Sequence, residues 1–529
     1  MRGGRCRIAC LLAVLATMTA EAAPSQVVTR PNIVLIMVDD VRRDDVDRLP
    51  RLKEMLFESG VEFTRFVTPN ALCGPSRVST LRAQLGHNTG MTSNRALFAR
   101  VYEDGLEQST VATWLQDAGY ATGLFGKYLN GYGRSIARVG RDYVPPGWSE
   151  WHVGNVGKSF GFWLNSNGKV IHYPQDGPHS NDVLAELAVD FIRRHGDGPM
   201  FLWLAPGSSH GDAIPAARHA NAFADQLLPD LPAADVGDKP KWIQDLRPRT
   251  KRTARHLDHY RNRLRSMLSV EDLVAAVIDA LRDADALEDT YIIFTSDNGF
   301  HYGEHRIHSS KATAYEEAIL VPAAIRGPGI PAGEHLTHLV VNSDLAVTIG
   351  ELAGVGVPPF VDGKSVRPLF DVERPSPEEW RTAIGIEHTG QGHRRPTFFG
   401  IRTLEWKFVH YPETGEEEVY DLELDPLELT NLRRELSATE VNVLRAWSDA
   451  LAACRGQQCR HLESGPVDLP TRACHAPSWL TGQERRSVEL HSRVSCALCE
   501  GQALDLDTRN RRRTAGPAAR GSKLGRAAL

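Results

Sequence analysis

The run Asn32-Ile33-Val34-Leu35-Ile36-Met37-Val38 limits the possible folds more than any other stretch. It is apolar without a break, rich in β-branched residues, and stops at Asp39-Asp40. A strand apolar on both faces must be covered on both faces, as inside a parallel α/β sheet. Tyr291–Ser296 repeats the pattern and stops at Asp297-Asn298. Open α/β sheets bind ligands beyond the C-terminal ends of their strands. Asp39, Asp40, Asp297 and Asn298 offer only oxygen ligands there, which favours a hard cation, Ca²⁺ or Mg²⁺, over zinc. The local alternative is that one of Asp39 and Asp40 caps the next helix.

Ala121–Phe125 and Met200–Ala205 read as further buried strands. Ser109 or Thr110 opens a helix through Ala118, and Asp182–Arg194, Tyr260–Ala284 and Ser343–Ala353 carry helical patterns. Pro50–Ser59 is expected to be a short helix with Leu52, Met55 and Leu56 inward. Leu227–Arg255 lacks clear periodicity and reads as a long loop near the cleft. Pro358-Pro359 marks a linker, and from about Thr382 the texture changes. Phe398–Tyr411 and Glu417–Leu422 then alternate as strands do. The expected fold is α/β: a large mixed, mostly parallel sheet flanked by helices, with a smaller C-terminal antiparallel α+β subdomain.

A length of 529 residues suits a large core and two domains. A net charge of −5 argues against a general nucleic-acid binder, which would need a basic face. Arg2, Arg5 and Arg7 precede an apolar run from Ile8 to Ala20, and Ala20-Glu21-Ala22 fits a cleavage site. This reads as a signal peptide over residues 1–22, hence a secreted or periplasmic protein; the alternative is a single N-terminal anchor. No later stretch is apolar enough for a stable membrane span. Cys6 and Cys10 would leave with the signal, Cys73 stands alone, and Cys454, Cys459, Cys474, Cys496 and Cys499 crowd the C-terminal end. In an exported chain these favour disulfides over metal binding, with Cys454–Cys459 the preferred pair. The arginine-rich tail from Thr508 is expected to be disordered.

Cys73-Gly74-Pro75-Ser76-Arg77 places a lone cysteine just before a helix start, since Pro75 suits a first helical turn. The helix dipole and the Arg77 guanidinium would make an electropositive pocket around the sulfur. The bland alternative is a buried structural cysteine beside a turn. Lys127, after the Ala121–Phe125 strand, is a solvated surface lysine or an anion ligand. His210 is either polar surface on the loop after Met200–Ala205 or a working histidine.

The pentapeptide resembles the Cys-x-Pro-Ser-Arg signature of the sulfatase family, and Leu81-Arg82-Ala83-Gln84 and His87-Asn88-Thr89-Gly90 continue the resemblance. Gly126-Lys127-Tyr128-Leu129-Asn130 resembles the motif of a branch holding bacterial arylsulfatases and N-acetylglucosamine-6-sulfatases. Ser296-Asp297-Asn298-Gly299, Gly303-Glu304-His305-Arg306 and Lys311-x-x-x-Tyr315-Glu316 follow in the family's order. Ala83, Leu129, Gly207 and Asp212 depart from the usual glycine, histidine, histidine and proline.

The resemblance implies an alkaline-phosphatase-like fold, with residues 31–375 as catalytic domain, 376–463 as the C-terminal subdomain and 464–529 unmatched. It implies that a formylglycine-generating enzyme converts Cys73 to formylglycine, whose hydrate attacks sulfur and whose oxygen joins Asp39, Asp40, Asp297 and Asn298 around Ca²⁺, with Mg²⁺ less favoured. Arg77 would stabilise the diol, Lys127 and Lys311 would hold sulfate oxygens, and His210 would assist proton transfer. The implied substrate is a sulfated sugar or an aryl sulfate. The alternatives are a phosphonate or phosphate monoester hydrolase on the same scaffold, and a pseudoenzyme that binds Ca²⁺ and sulfated glycans.

Overall fold

Every residue of the strand Asn32–Val38 (β1) is buried, as its apolar run requires. The structure, a computed structural model, describes residues 30–134, 139–211, 213–229, 235–247, 254–390 and 395–464. The signal segment with Cys6 and Cys10, Asp212, Cys474, Cys496, Cys499 and the basic tail lie outside the described residues.

The other strands of the large sheet are Val61–Val67 (β2), Ala121–Gly126 (β3), Glu150–Gly154 (β4), Trp163–Ser166 (β5), Lys169–His172 (β6), Met200–Ala205 (β7) and Thr290–Ser296 (β8). A small pair, His301–Tyr302 (β9) and His308–Ser310 (β10), follows, and then Ala323–Arg326 (β11) and Glu334–Val341 (β12) complete the sheet. The order across the ten strands is β12-β2-β11-β8-β1-β7-β3-β4-β5-β6. Only β5 and β11 run against the rest. Side chains alternate across β1: Ile33, Leu35 and Met37 enter one core, Val34, Ile36 and Val38 the other. Helix Cys73–Arg82 covers the first core with Val78 and Leu81, helped by Val111 and Leu115 of Val111–Asp117 and Leu345 and Ile349 of Asp344–Leu352. Ser180–His195 and Ala254–Asp283 cover the second with Leu184, Phe191, Val270 and Val274.

The antiparallel subdomain sheet is Ala383–His388 (β13), Phe398–Thr403 (β14), Trp406–Tyr411 (β15) and Glu416–Asp421 (β16), in that order. Helix Ala438–Ala453 packs on it through Val441, Leu444 and Leu451. Ile384, Ile386 and Val409 meet Val67, Ile319 and Leu339 in a core shared by both sheets. Cys454 and Cys459 form the expected disulfide.

Several expectations change. Pro50–Ser59 is one α turn followed by a π turn, and Met55 is only half-buried. The Leu227–Arg255 stretch holds a short helix, Lys241–Gln244, and buries Val236 and Ile243 against Ile307, Tyr315 and Tyr420. Pro358-Pro359 does not open onto a loose linker: Asp362 is buried and accepts from the Leu85 and Gly456 amides.

Glu418 on β16 is fully buried and accepts from the Tyr315 hydroxyl at 2.9 Å. Burial pushes its carboxyl up to about 7, although Lys239 and Tyr315 pull it down. The unfolded chain releases this proton near the ordinary carboxylate value and the folded chain holds it to about 7. The native state therefore binds more protons in that window, and stability falls as pH rises through it, on the order of 3 kcal/mol from this group. Glu418→Gln should melt higher than wild type at pH 8 and show a smaller gap at pH 5, checked by thermal melts across that range.

Candidate active site

Parallel register brings the site together. Val38 of β1 lies opposite Ser296 of β8, so Asp39-Asp40 and Asp297-Asn298 leave neighbouring strand ends side by side. On the other flank of β1, β7 ends at Ala205 and leads to His210. The next strand, β3, ends at Gly126 and delivers Lys127. Cys73 and Arg77 come from the helix after β2, and Lys311 from the loop after β10. Gly126 has φ +120, and a Cβ there would meet the Ala205 carbonyl oxygen at 2.1 Å, so the Lys127 approach requires glycine.

Ligand atoms of Asp39, Asp40, Cys73 and Asp297 all lie within 4.8 Å of one another, and a His210 nitrogen also lies within 4.8 Å of ligand atoms of Asp39 and Cys73. Cys73 Sγ sits 3.5 Å from Asp39 Oδ1, 3.8 Å from Asp40 Oδ1 and 2.5 Å from Lys311 Nζ. Lys311 Nζ also donates to Asp40 Oδ1, and Lys127 Nζ to Asp39 Oδ2 at 2.5 Å. Arg77 Nε donates to Asp297 Oδ2 at 2.8 Å and its Nη1 to the Lys127 carbonyl at 3.0 Å. Asn298 Nδ2 donates to Asp40 Oδ1 at 2.7 Å. Asn298 Oδ1 is buried with no hydrogen-bond partner, as is Arg77 Nη2. An orphaned amide oxygen beside three carboxylates is a donor set that fits a hard, oxygen-loving cation.

Burial would raise the Asp39 carboxyl, yet Lys127, His210 and Lys311 hold it well below the usual range. Asp40 is lowered against burial chiefly by Lys311. Asp297 is raised by burial and by the charge on Asp39, despite Arg77 and Lys127. The cations beside Cys73 do not make its sulfur a ready thiolate. Burial pushes the thiol up to about 12, with Lys127 and Lys311 pulling it down and Asp297 and Asp39 pushing it up. Carboxylates from two other strand ends, invisible in the local sequence, oppose the cations. Position 73 is also the first residue of the helix rather than the one before it. As a thiol it is therefore no poised thiolate nucleophile.

Three of the departures can be placed in the structure. Ala83 ends its helix in the left-handed region at φ +55, where glycine is the easy choice. Leu129 joins the apolar core. A Cβ on Gly207 would meet the Val156 carbonyl oxygen at 2.3 Å, so no histidine fits there.

Sequence reasoning missed Arg263, whose guanidinium reaches the Asp40 and Ser209 carbonyls from helix Ala254–Asp283. The available signal was an arginine in the otherwise buried stripe of Tyr260, Leu264 and Met267. It also missed Ser296, whose hydroxyl donates to the Asn298 carbonyl at 2.9 Å and accepts from the Val41 amide. Glu304 takes Arg42, and His305 stacks on Tyr315 with ring centroids 3.9 Å apart, which braces the loop carrying Lys311.

The same sites of similarity run through known proteins. A family model described as Sulfatase matches residues 31–355, and one described as N-sulphoglucosamine sulphohydrolase, C-terminal, matches residues 303–453. An arylsulfatase of Volvox carteri is 31% identical across 92% of this chain and 83% of its own. An N-acetylglucosamine-6-sulfatase of Capra hircus is 30% identical across 82% of this chain and 85% of its own. A solved structure of a protein in complex with its substrate D-glucosamine-2-N,6-O-disulfate superposes with a TM-score of 0.68 at 24% identity, covering 80% of this chain and 97% of that one. The fold, the order of the motifs and these matches along most of its length agree that the chain belongs to the sulfatase family.

Proposed function

We propose that this sulfatase is an exported hydrolase of sulfated sugars or aryl sulfates that works through formylglycine at position 73 and a Ca²⁺ ion. The observation carrying this reading is the meeting of Asp39, Asp40, Asp297 and the residue 73 sulfur within 4.8 Å, with Lys127 and Lys311 beside them. Asp39, Asp40, Asp297 and the free Oδ1 of Asn298 would hold the ion, with Mg²⁺ the second choice. When bound, a hard cation supplies Lewis-acid polarisation of a sulfate oxygen. Formylglycine hydrate supplies a hydroxyl nucleophile and a second hydroxyl through which the product can be expelled, which a simple alcohol lacks.

The chain's own residues do the rest. Arg77, pinned by Asp297, stabilises negative charge next to residue 73. Lys127 and Lys311 are raised by their carboxylate partners against burial and stay charged, so they bind and orient sulfate oxygens. The half-buried His210 faces residue 73 from the β7 side and serves proton exchange with the leaving oxygen. The names of the relatives support an aryl or amino-sugar sulfate, and the Cys454–Cys459 disulfide suits an oxidising compartment. Among the described residues no helix is long and apolar enough to cross a membrane.

The test is mass spectrometry of the peptide carrying Cys73, from a host that has the converting enzyme. The expected peptide has lost one sulfur and two hydrogens and gained one oxygen. The same preparation should cleave an aryl sulfate well ahead of the matched aryl phosphate. An intact thiol in a purified chain that turns over nothing would support binding alone, and a preference for phosphate would support the phosphate-ester reading.

A further inference from the structure

Arg263 is buried to 1% exposure in the middle of a helix, among Tyr260, Leu264 and Met267. Burying a guanidinium without a carboxylate is unfavourable by several kcal/mol unless its donors and its charge are met otherwise. Among the described residues Arg263 makes no direct ion pair, and the Asp40 and Asp45 carboxylates support its charge only at longer range. Its charge lies over the Phe300 ring, 4.0 Å from the centroid, and more distantly over Tyr302. Its Nε donates to the Tyr302 hydroxyl at 3.0 Å. Its two other nitrogens go to backbone oxygens: Nη1 to Ser209 at 2.8 Å and Nη2 to Asp40. A leucine or methionine would anchor the helix to the sheet at less expense. The arginine's particular property is a rigid fork able to hold two carbonyls at once.

Those two carbonyls belong to the site. Asp40 supplies a carboxylate to the cluster and has φ +63, a left-handed backbone that aspartate tolerates better than most non-glycine residues and that held partners help to keep. Ser209 immediately precedes His210. The same two loops are cross-tied by Asp39 N to the Ser208 carbonyl at 3.0 Å and Ser209 N to the Asp39 carbonyl at 2.9 Å. We propose that Arg263 is a positioning residue for sulfate ester cleavage: its guanidinium clamps the Asp40 and Ser209 carbonyls, aiming the Asp40 carboxylate at the cation cradle and fixing where His210 stands. The clamp's effect on the cation rests on the reading that the cradle takes Ca²⁺; its effect on His210 does not.

Arg263→Met keeps the stem and removes both carbonyl bonds together with the bond to Tyr302, while Arg263→Lys keeps the charge and can hold one carbonyl. The full chain is prepared with Cys73 conversion quantified, and activity is normalised to the converted fraction. Arg263→Met should lose about 10- to 100-fold in kcat on an aryl sulfate with KM changed by less than about threefold, the mark of a misaimed catalytic group rather than a damaged binding surface. Half-saturation of the Ca²⁺-induced rise in Tm should move up by about 10-fold, as for other groups that orient metal ligands. Arg263→Lys should recover part of both losses. A merely structural arginine would lower Tm in the absence of Ca²⁺ and leave the half-saturation and kcat alone, and that result overturns the proposal. If Arg263→Met does not fold, the same two readouts on Arg263→Lys decide it. A wild-type chain whose Tm ignores Ca²⁺ overturns the cation reading, and the clamp then stands or falls on the kcat and KM of the variants.

Discussion

Cys73→Ala should reduce kcat on an aryl sulfate by at least about 10⁴-fold, because it removes the residue that the proposed mechanism converts into the nucleophile. The sulfur stands within reach of Lys311, Asp39 and Asp40 at the start of a buried helix. Exchanging a buried thiol for a methyl leaves a small void and no unpaired charge, so Tm should shift by only a few degrees. Cys73→Ser is more informative. Its hydroxyl can attack once, but the resulting ester has no neighbouring hydroxyl to break it. At most one equivalent of phenol should be released per chain, read in a stopped-flow burst. Sustained turnover by either variant, with normal melting, would mean that the nucleophile lies elsewhere.

Removing divalent cations should take activity to background. Asp39, Asp40 and Asp297 are offset here by Lys127, Lys311 and Arg77, and this balance holds only until an anionic sulfate enters. A buried site with surplus negative charge would repel its own substrate, and a divalent ion reverses the sign. Chelation with EGTA followed by Ca²⁺ should restore the rate, Mg²⁺ should restore less, and Zn²⁺ should not substitute because the donors are all oxygen. Because the ion binds only the folded cradle, Ca²⁺ at 100 times its Kd should add about 2.7 kcal/mol of stability, seen as a raised Tm. Full activity in a chain shown to be metal-free by elemental analysis would end this assignment.

Much of the architecture was legible in local pattern. β1, β7 and β8 are runs whose both-faced apolar character admits few settings, and the helix after Thr110 begins with that threonine accepting from the Thr113 amide. The short strands β4, β5 and β6 were not anticipated. They lie at one side of the sheet, where alternation is weak and partner strands decide pairing. Helix Ala438–Ala453, with its Ser437–Glu440 capping box, was also passed over, although its start is written plainly.

For the site, identity and geometry divide in the same way. The sequence alone determined which residues are present and where each strand stops: carboxylates after Val38 and Ser296, a lysine after Gly126, a cysteine ahead of Pro75. Periodicity and turn chemistry are local, and they are encoded within a few residues of where they act. Only the tertiary structure decided that burial, with the Asp297 and Asp39 carboxylates, makes the Cys73 thiol a poor thiolate, that Asn298 Oδ1 is left open, and that Arg263, far away on a helix, grips both Asp40 and Ser209. Desolvation and Coulomb interactions depend on distance in space. Residues separated by more than two hundred positions become neighbours only when parallel strands align their ends.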